Sequence, residues 1–572
     1  MKIQGNDDSQ EQRVKELETI RKRLAELERG QKLGLVWRDI PEDVETLLRV
    51  EMPVLIHEQD LDIPGKIPSD QSHILIEGDN LHALHVLQAT HHAAVDVIYI
   101  DPPYNTGNKD FIYNDRFVDA EDSFRHSKWL SFMQKRLSLA KNLLADSGAI
   151  FVSIDNNEQA QLKLLGDTIF GEINFIGALI WRKKEGGGQT DQYFVTEHEY
   201  IMGWRRTSDY KWQDAIIEDD GSSFTKSDDE GTYKAVKLAK WGNTSRRVDR
   251  PKMYFSIKAP NGKSVYPIAP DGGEGRWRVG SKRMQVLIDG KLIEWQEKGK
   301  NWIPYEKVYF VEGDTKTIKE RSIIYDVATT ADGTKELTKI FGEKDLFPNP
   351  KPTALIQHLI QHATTPNAII LDFFAGSGTT LHAVSQLNAE DGGSRQCILV
   401  TNNENSICRD VTQPRLKAVL TGKWADKQKH DPLPGSLSFY KTGFIKRLKS
   451  PDRMRTEIAK HTIDLIAIKE AAGTTVSRTA DLTVLHGVSK TIAVVPGLDP
   501  EHVKLHANAE KKVREGDIKI VYLFTWSNQG VEDEIAALWP GWLVQPLPSE
   551  MLAALRRNAP APSLFDVDGG AQ

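Results

Sequence analysis

The stretch that most constrains this chain is Val95-Asp96-Val97-Ile98-Tyr99-Ile100-Asp101-Pro102-Pro103-Tyr104. Its Val- and Ile-rich run reads as a short buried strand, stopped abruptly by an acid, two prolines and an aromatic. Proline donates no backbone N–H and pins φ, so the pair ends the strand and stiffens the loop beyond it. One carboxylate, one free carbonyl and one flat ring are left at the carboxyl end of a strand, where open α/β sheets bind ligands. Asp101 and the Pro102 carbonyl can each accept one hydrogen of an exocyclic amine on a planar base. Held so, the nitrogen lone pair is drawn out of ring conjugation and becomes a usable nucleophile, while Tyr104 can lie on the ring face. The same residues also read as an ordinary strand-to-loop stop, because Asp-Pro is a common turn opening.

The 572 residues suffice for two to four domains with their own cores. Hydrophobic residues at 39% and charged ones at 27% fit a globular protein. No apolar run approaches the ~20 residues of a membrane helix and the start is polar, so a membrane span and a secretory leader are not expected. Cys397 and Cys408, the only two cysteines, argue for a reducing compartment and against a zinc site or disulfide framework. A net charge of −6 means that any nucleic-acid surface must be local.

Residues 9–30 read as an amphipathic helix with Leu17, Ile20, Leu24 and Leu27 at a/d spacing. Two heptads are too few for a coiled coil, so packing onto the body is expected, with self-association left open. Ile74 to Glu77 reads as a strand, then Gly78-Asp79-Asn80 opens a helix through Leu81, Leu84 and Leu87. Asp79 is either its N-cap or an acceptor for a bound adenine ring. The histidines at 82, 85, 91 and 92 lack an acid or cysteine at metal-site spacing, so no metal is expected. Asn105 to Asp110 forms a polar loop that either closes over a substrate or is a surface turn. A helix follows from about 123 to 144, on which Trp129 reads as packing and Arg136 as solvated. Asp155 and Glu158 after the next strand read as a capping box.

Between Lys234 and Lys300 basic residues outnumber acids. Lys240, Arg246, Arg247, Arg250, Arg276, Arg278, Lys282 and Arg283 are interleaved with Trp241, Tyr254, Tyr266 and Trp277, the footprint of a DNA-facing module. A solvated charged face is the alternative. The strand ending at Asp372 runs into Phe373-Phe374-Ala375-Gly376-Ser377-Gly378 and a helix. Such a turn lets backbone approach a ligand at a helix N-terminus. It lacks the third spaced glycine of a dinucleotide fingerprint and the lysine of a P-loop, which argues against a triphosphate. The following strand ends in Asn402-Asn403-Glu404, where a polar group can meet ribose hydroxyls.

Together, Asp-Pro-Pro-Tyr and Phe-x-Gly-x-Gly resemble the signature pair of S-adenosylmethionine-dependent DNA amino-methyltransferases. The order, catalytic tetrapeptide before cofactor loop, is that of the permuted beta class. Gly34-Leu35-Val36-Trp37, Glu77-Gly78-Asp79-Asn80-Leu81, the Asp101–Phe117 segment and Asn349-Pro350-Lys351-Pro352 are similar to the Mod subunits of type III restriction–modification systems. The resemblance covers roughly residues 30–425.

It implies an α/β fold, a doubly wound, mostly parallel sheet interrupted by an α+β target-recognition insert, plus a small C-terminal α/β domain. The expected divisions are an N-terminal helix and arm (1–70), a catalytic half (71–204), a DNA-binding insert (205–345), a cofactor half (346–425) and a C-terminal domain (440–572). Asp101, Pro102, Pro103 and Tyr104 would hold a flipped adenine. Phe374, Gly376 and Gly378, with Asp372, would hold the methionine part of S-adenosylmethionine, and Asp79 its adenine. Thr401 stands where the family has its ribose acid, so Asn402 or Glu404 must substitute. The implied partners are double-stranded DNA, a second copy of the chain and a restriction (nuclease or helicase) subunit, in a prokaryotic cytoplasm and nucleoid. N4-cytosine methylation, methylation of an RNA or protein amine, and a non-catalytic DNA-binding specificity subunit are the rival readings; Asp rather than Ser at position 101 leans toward adenine.

Overall fold

The computed structural model describes residues 37, 40, 42–44, 47–48, 51–66, 72–107, 111–113, 116–119, 121–186, 193–299, 301–344, 346–426, 428–446, 461–472, 474–487, 489–496, 501–523 and 536–546. The expected helix over 9–30 lies outside these residues. They divide into two compact units, Asp214–Glu320 and the remainder.

The larger unit is built on a ten-stranded sheet. Its strands are β1 (Glu51–His57), β2 (Ser72–Glu77), β3 (Val95–Ile100), β4 (Leu144–Ile154), β5 (Phe175–Arg182), β6 (His198–Arg205), β7 (Ile323–Ile324), β8 (Ile369–Asp372), β9 (Gln396–Thr401) and β10 (Ser436–Lys446). They lie in the order β1-β10-β2-β9-β8-β3-β4-β6-β5-β7. From β10 to β4 every neighbouring pair is parallel; β1 and the β4-β6-β5 edge are antiparallel.

Two-residue alternation sends side chains of β3 to opposite faces, and helices cover both. Ile98 and Ile100 join Leu84 and Leu87 of α1 (Asn80–Thr90) and Met133 and Leu137 of α2 (Arg125–Leu143) in one core. The helix α3 (Gln159–Phe170) adds Leu162 and Leu165 to it. Val97 and Tyr99 join Leu355 and Leu359 of α5 (Thr353–Ala363) and Leu381 and Val384 of α6 (Thr379–Asp391) in the other. Two further helices, α4 (Thr330–Phe341) and α7 (Gln413–Thr421), also belong to this unit. The polar exception in β3 is Asp96, whose carboxylate accepts the Ile369 N–H at 2.8 Å and ties the start of β8 to β3.

Several boundaries differ from the sequence reading. β1 falls in the stretch read as an arm, residues 205–213 and 321–345 belong to the larger unit, where Ile324 is buried, and residues 440–446 are part of β10, between β1 and β2. A separate five-stranded sheet (Thr474–Arg478, Thr483–Gly487, Lys490–Val495, Ile518–Leu523, Leu543–Pro546) follows, with the helix His502–Glu510. Among the described residues, no helix is long and apolar enough to cross a membrane.

Candidate active site

Because β2, β9, β8 and β3 are consecutive and parallel, the segments after them leave the sheet at one edge. Those segments are Gly78-Asp79, Asn402 to Glu404, Phe373 to Gly378 and Asp101 to Tyr104. The pairs Ile370–Val97 and Leu371–Ile98 set Asp372 and Asp101 at neighbouring strand ends.

Around Asp101 the structure assembles a cluster that crosses long sequence distances. The Lys351 ammonium lies 2.9 and 2.8 Å from the two carboxylate oxygens of Asp101 and 2.9 Å from the Tyr104 hydroxyl oxygen. It is also 3.3 Å from Glu199 Oε2. The Tyr104 hydroxyl donates toward Asp101 Oδ1 at 2.8 Å, with Glu199 Oε2 at 3.1 Å. Lys183 Nζ completes the group, 3.0 Å from Glu199 Oε1. Burial pulls the Lys351 ammonium down, but Asp101 and Glu199 outweigh it and hold the group above the ordinary lysine value. Burial likewise pushes Glu199 up, and Lys351 and Lys183 reverse that, keeping it ionised. Burial, then the nearby carboxylates, drive the Tyr104 phenol well above its usual range, so it remains a donor. Glu199 and Lys351 carry no local signature; Lys351 appeared in the sequence only inside a proline-bracketed match.

The loop itself is braced from below. The Trp129 indole N–H donates to the Pro103 carbonyl at 2.7 Å, while the Pro102 carbonyl accepts no hydrogen bond among the described residues. Asn105, at φ 57°, donates to the Arg125 carbonyl at 3.2 Å and to the buried Glu158 carboxylate, which also meets His126 Nδ1 at 2.7 Å. Glu158 is therefore not half of a capping box; it anchors the loop after Asp101, and Asp155 bonds its own neighbour, the Asn157 N–H, at 2.8 Å. Trp129→Phe removes the indole N–H that braces the loop, together with part of a buried ring system. It is expected to lower kcat by about 10- to 100-fold through misplacement of the loop, with urea unfolding shifted by about 2–4 kcal/mol.

The glycine turn is held by its own acid and by a buried arginine. Asp372 accepts the Phe374 N–H at 2.9 Å and the Thr380 hydroxyl. Gly378 has φ +80°, and a Cβ there would sit 3.1 Å from Thr412. The Thr412 hydroxyl donates to the Gly376 carbonyl at 2.6 Å. Arg415 donates to the hydroxyls of Ser377 (2.9 Å) and Thr379 (2.8 Å) and pairs with Glu336 at 3.3 Å. Phe374 packs toward Phe132, centroids 5.9 Å apart.

Burial pushes the Asp372 carboxyl up to about 7, partly offset by the Thr380 hydroxyl and the Phe374 N–H. In the unfolded chain it ionises near 3.8, so between those values the folded state holds a proton the unfolded state has lost. Stability then falls as pH rises through that window, on the order of 1 kcal/mol per pH unit from this group. Asp372→Asn should flatten that slope, read from urea unfolding at about pH 5 and about pH 7.

Asp79 caps α1, its Oδ1 accepting the Leu81 N–H at 2.7 Å, and its Oδ2 lies 3.6 Å from Arg136. Arg136 is buried rather than solvated: it pairs with both oxygens of Glu42 at 3.0 Å and lies 3.6 Å over the Phe132 ring. Asn402 and Glu404 are exposed, and Glu77 is already paired with Arg409. His82 faces the Val44 carbonyl and His91 its neighbour Thr90, so these two histidines do not converge.

In the Asp214–Glu320 unit, Lys282 and Arg283 lie on the helix Ser281–Asp289, and the other basic candidates lie outside its strands, in the loops and 3-10 turns between Lys240 and Arg278. Arg246, Arg247, Arg250, Arg278, Lys282 and Arg283 are exposed, and Lys240 is half-buried. Arg246 pairs with Asp271, Arg283 with Glu306, and Arg247 with Glu274 while covering the Tyr254 ring at 4.4 Å. Exposed pairs of this kind are weak and exchange readily for phosphate. Arg276 departs from the expectation. It is 6% exposed and holds the Thr244 carbonyl, so it braces the unit's interior.

A carboxylate and a glycine turn thus stand at neighbouring ends of one sheet covered by helices on both faces. The chain belongs to the DNA methylase family, whose sequence model matches residues 95–413. It is 38% identical over 352 residues to the type II methyltransferase M.KpnI of Klebsiella pneumoniae, covering 59% of this chain and 82% of that one. It is 36% identical over 359 residues to the StyLTI Mod subunit of Salmonella typhimurium (57% and 52% covered). Identity is 34% over 378 residues to the EcoPI Mod subunit of Escherichia phage P1 (59% and 58%). The chain thus spans little more than half the length of these two Mod subunits.

Proposed function

We propose that this chain is a site-specific DNA methyltransferase of a restriction–modification system. It moves the methyl group of S-adenosylmethionine to N6 of an adenine swung out of the duplex. The observation that carries this reading is the parallel pairing of β3 with β8, which puts Asp101 beside the turn from Phe374 to Gly378.

The residues fit a sulfonium cofactor. Phe374, Gly376 and Gly378 would hold its methionine part, Asp79 its adenine, and Asn402 or Glu404 its ribose. The acids Asp79 and Asp372 flank the turn, and Arg415 is turned inward onto Ser377 and Thr379. When bound, the cofactor supplies an already activated methyl group. The protein's task is alignment and charge placement. Asp101 and the Pro102 carbonyl accept the two amine hydrogens, and Trp129 keeps the neighbouring Pro103 carbonyl out of competition. Asp101 and the Pro102 carbonyl would hold the amine nitrogen in line for that methyl group, and the amine would give up one hydrogen as a proton.

Unstacking a base costs a few kcal/mol, and one aromatic platform returns about 1–3 kcal/mol. Tyr104 alone roughly breaks even, so phosphate contacts must supply the difference. The Asp214–Glu320 unit, with the permuted order of the motifs around it, is read as the target-recognition insert. Binding of a specific duplex should therefore weaken steeply with salt, by about a thousandfold or more between 50 and 200 mM if some six phosphates are contacted. A flat salt response would remove this unit as the DNA surface. The C-terminal sheet is left for self-association or for docking a restriction subunit. Comparing methylated bases in DNA from cells with and without the protein tests the whole reading. N4-methylcytosine at a fixed sequence would replace adenine by cytosine, and no new methylation would remove the reading.

A further inference from the structure

We infer that Lys351 is an internal stand-in for the target amine, and that it must pass from Asp101 to Glu199 before a base is captured. The inference rests on the amine-capturing role of Asp101 proposed above. The Lys351 ammonium presents N–H donors at 2.9 and 2.8 Å to the carboxylate oxygens that would receive the amine, and it lies 5.1 Å from the Tyr104 ring centroid. While it stays there, the ammonium engages both Asp101 oxygens and the Tyr104 hydroxyl takes a second site on Oδ1, so an entering amine must share the carboxylate with a cation. The Lys351 side chain is 10% exposed and that of Glu199 9%, so neither charge can be left without a partner.

A neutral amine can replace the hydrogen bonds of an ammonium but not its charge, so an entering base cannot simply expel Lys351 to solvent. The short path is to Glu199, whose Oε2 is already 3.3 Å away and whose other oxygen is held by Lys183 at 3.0 Å. The transfer frees Asp101 and keeps the pocket's net charge constant. It also moves a cation off the carboxylate that must face the nitrogen as that nitrogen turns positive. In the empty site the same ammonium keeps the Asp101 and Glu199 carboxylates, which share the Tyr104 hydroxyl, from repelling one another.

The test compares affinities for two duplexes that differ only in the target base, adenine or purine, which lacks the amine. Both carry the protein's own recognition sequence, and a non-transferable cofactor analogue is present. If Lys351 holds Asp101 in about nine-tenths of empty molecules, Lys351→Met should raise the adenine-over-purine preference about tenfold. Glu199→Gln, which removes the receiving carboxylate, should move the preference the other way, toward equality. A packing role would shift both variants in the same direction for both duplexes. An unchanged or reduced preference in Lys351→Met overturns the inference. Should that variant fail to fold, an unchanged preference in Glu199→Gln does so. Wild-type protein that binds the adenine duplex but never methylates it would instead sink the methyltransferase reading. Methylation by wild type with unaltered preferences in the variants would sink the role of Lys351 alone.

Discussion

Asp101→Ala will lower methyl transfer by about a thousandfold or more, roughly 4 kcal/mol of transition-state stabilisation. Affinity for cofactor will change by no more than about threefold, and affinity for the adenine duplex will fall only to that for the purine duplex; the larger loss is in transfer, because the interaction removed matters most as charge develops on the nitrogen. The fold should survive, since Lys351 keeps a carboxylate partner at 3.3 Å in Glu199. Single-turnover kinetics with labelled cofactor, alongside thermal unfolding of the same preparation, separates the outcomes. Retention of more than about a tenth of the activity, or collapse of the fold, would refute the role given to this acid.

Glu336→Ala is expected to have the largest effect on stability. Arg415 is buried, and its charge is balanced by Glu336, 3.3 Å away on α4. Removing one member of a buried pair leaves a charge without compensation and costs about 3–5 kcal/mol. Arg415 also positions Ser377 and Thr379 in the glycine turn. Cofactor affinity should therefore fall along with the denaturant midpoint. The exposed Lys335–Asp332 pair on the same helix is the control, and Lys335→Ala should cost less than about 1 kcal/mol. Equal effects from the two variants would show that Arg415 does not depend on Glu336.

The strands that carry the site were legible because a buried parallel strand writes itself as an unbroken apolar run, as at Val97 to Ile100. The Asp101–Tyr104 corner and the glycine turn were legible because each is contiguous. Lys351 and Glu199 were not, since their roles arise from pairing across the fold: Lys351 is 250 residues from Asp101. Glu158 was misread because an acid three residues after another at a helix start fits a capping box, and only the fold brings Asn105 and His126 onto it. Arg136 and Arg276 show the same limit. Charge is visible in a sequence, but whether Glu42 or a backbone carbonyl waits to receive it is not.

Duplex DNA incubated with the protein and methyl-labelled S-adenosylmethionine, then digested to nucleosides and separated by mass, shows which amine receives the methyl group. Transfer to adenine predicts labelled N6-methyladenine from the wild-type protein and none from Asp101→Ala. Label in 5-methylcytosine or N4-methylcytosine, or unlabelled DNA from protein shown to bind both cofactor and duplex, would contradict it.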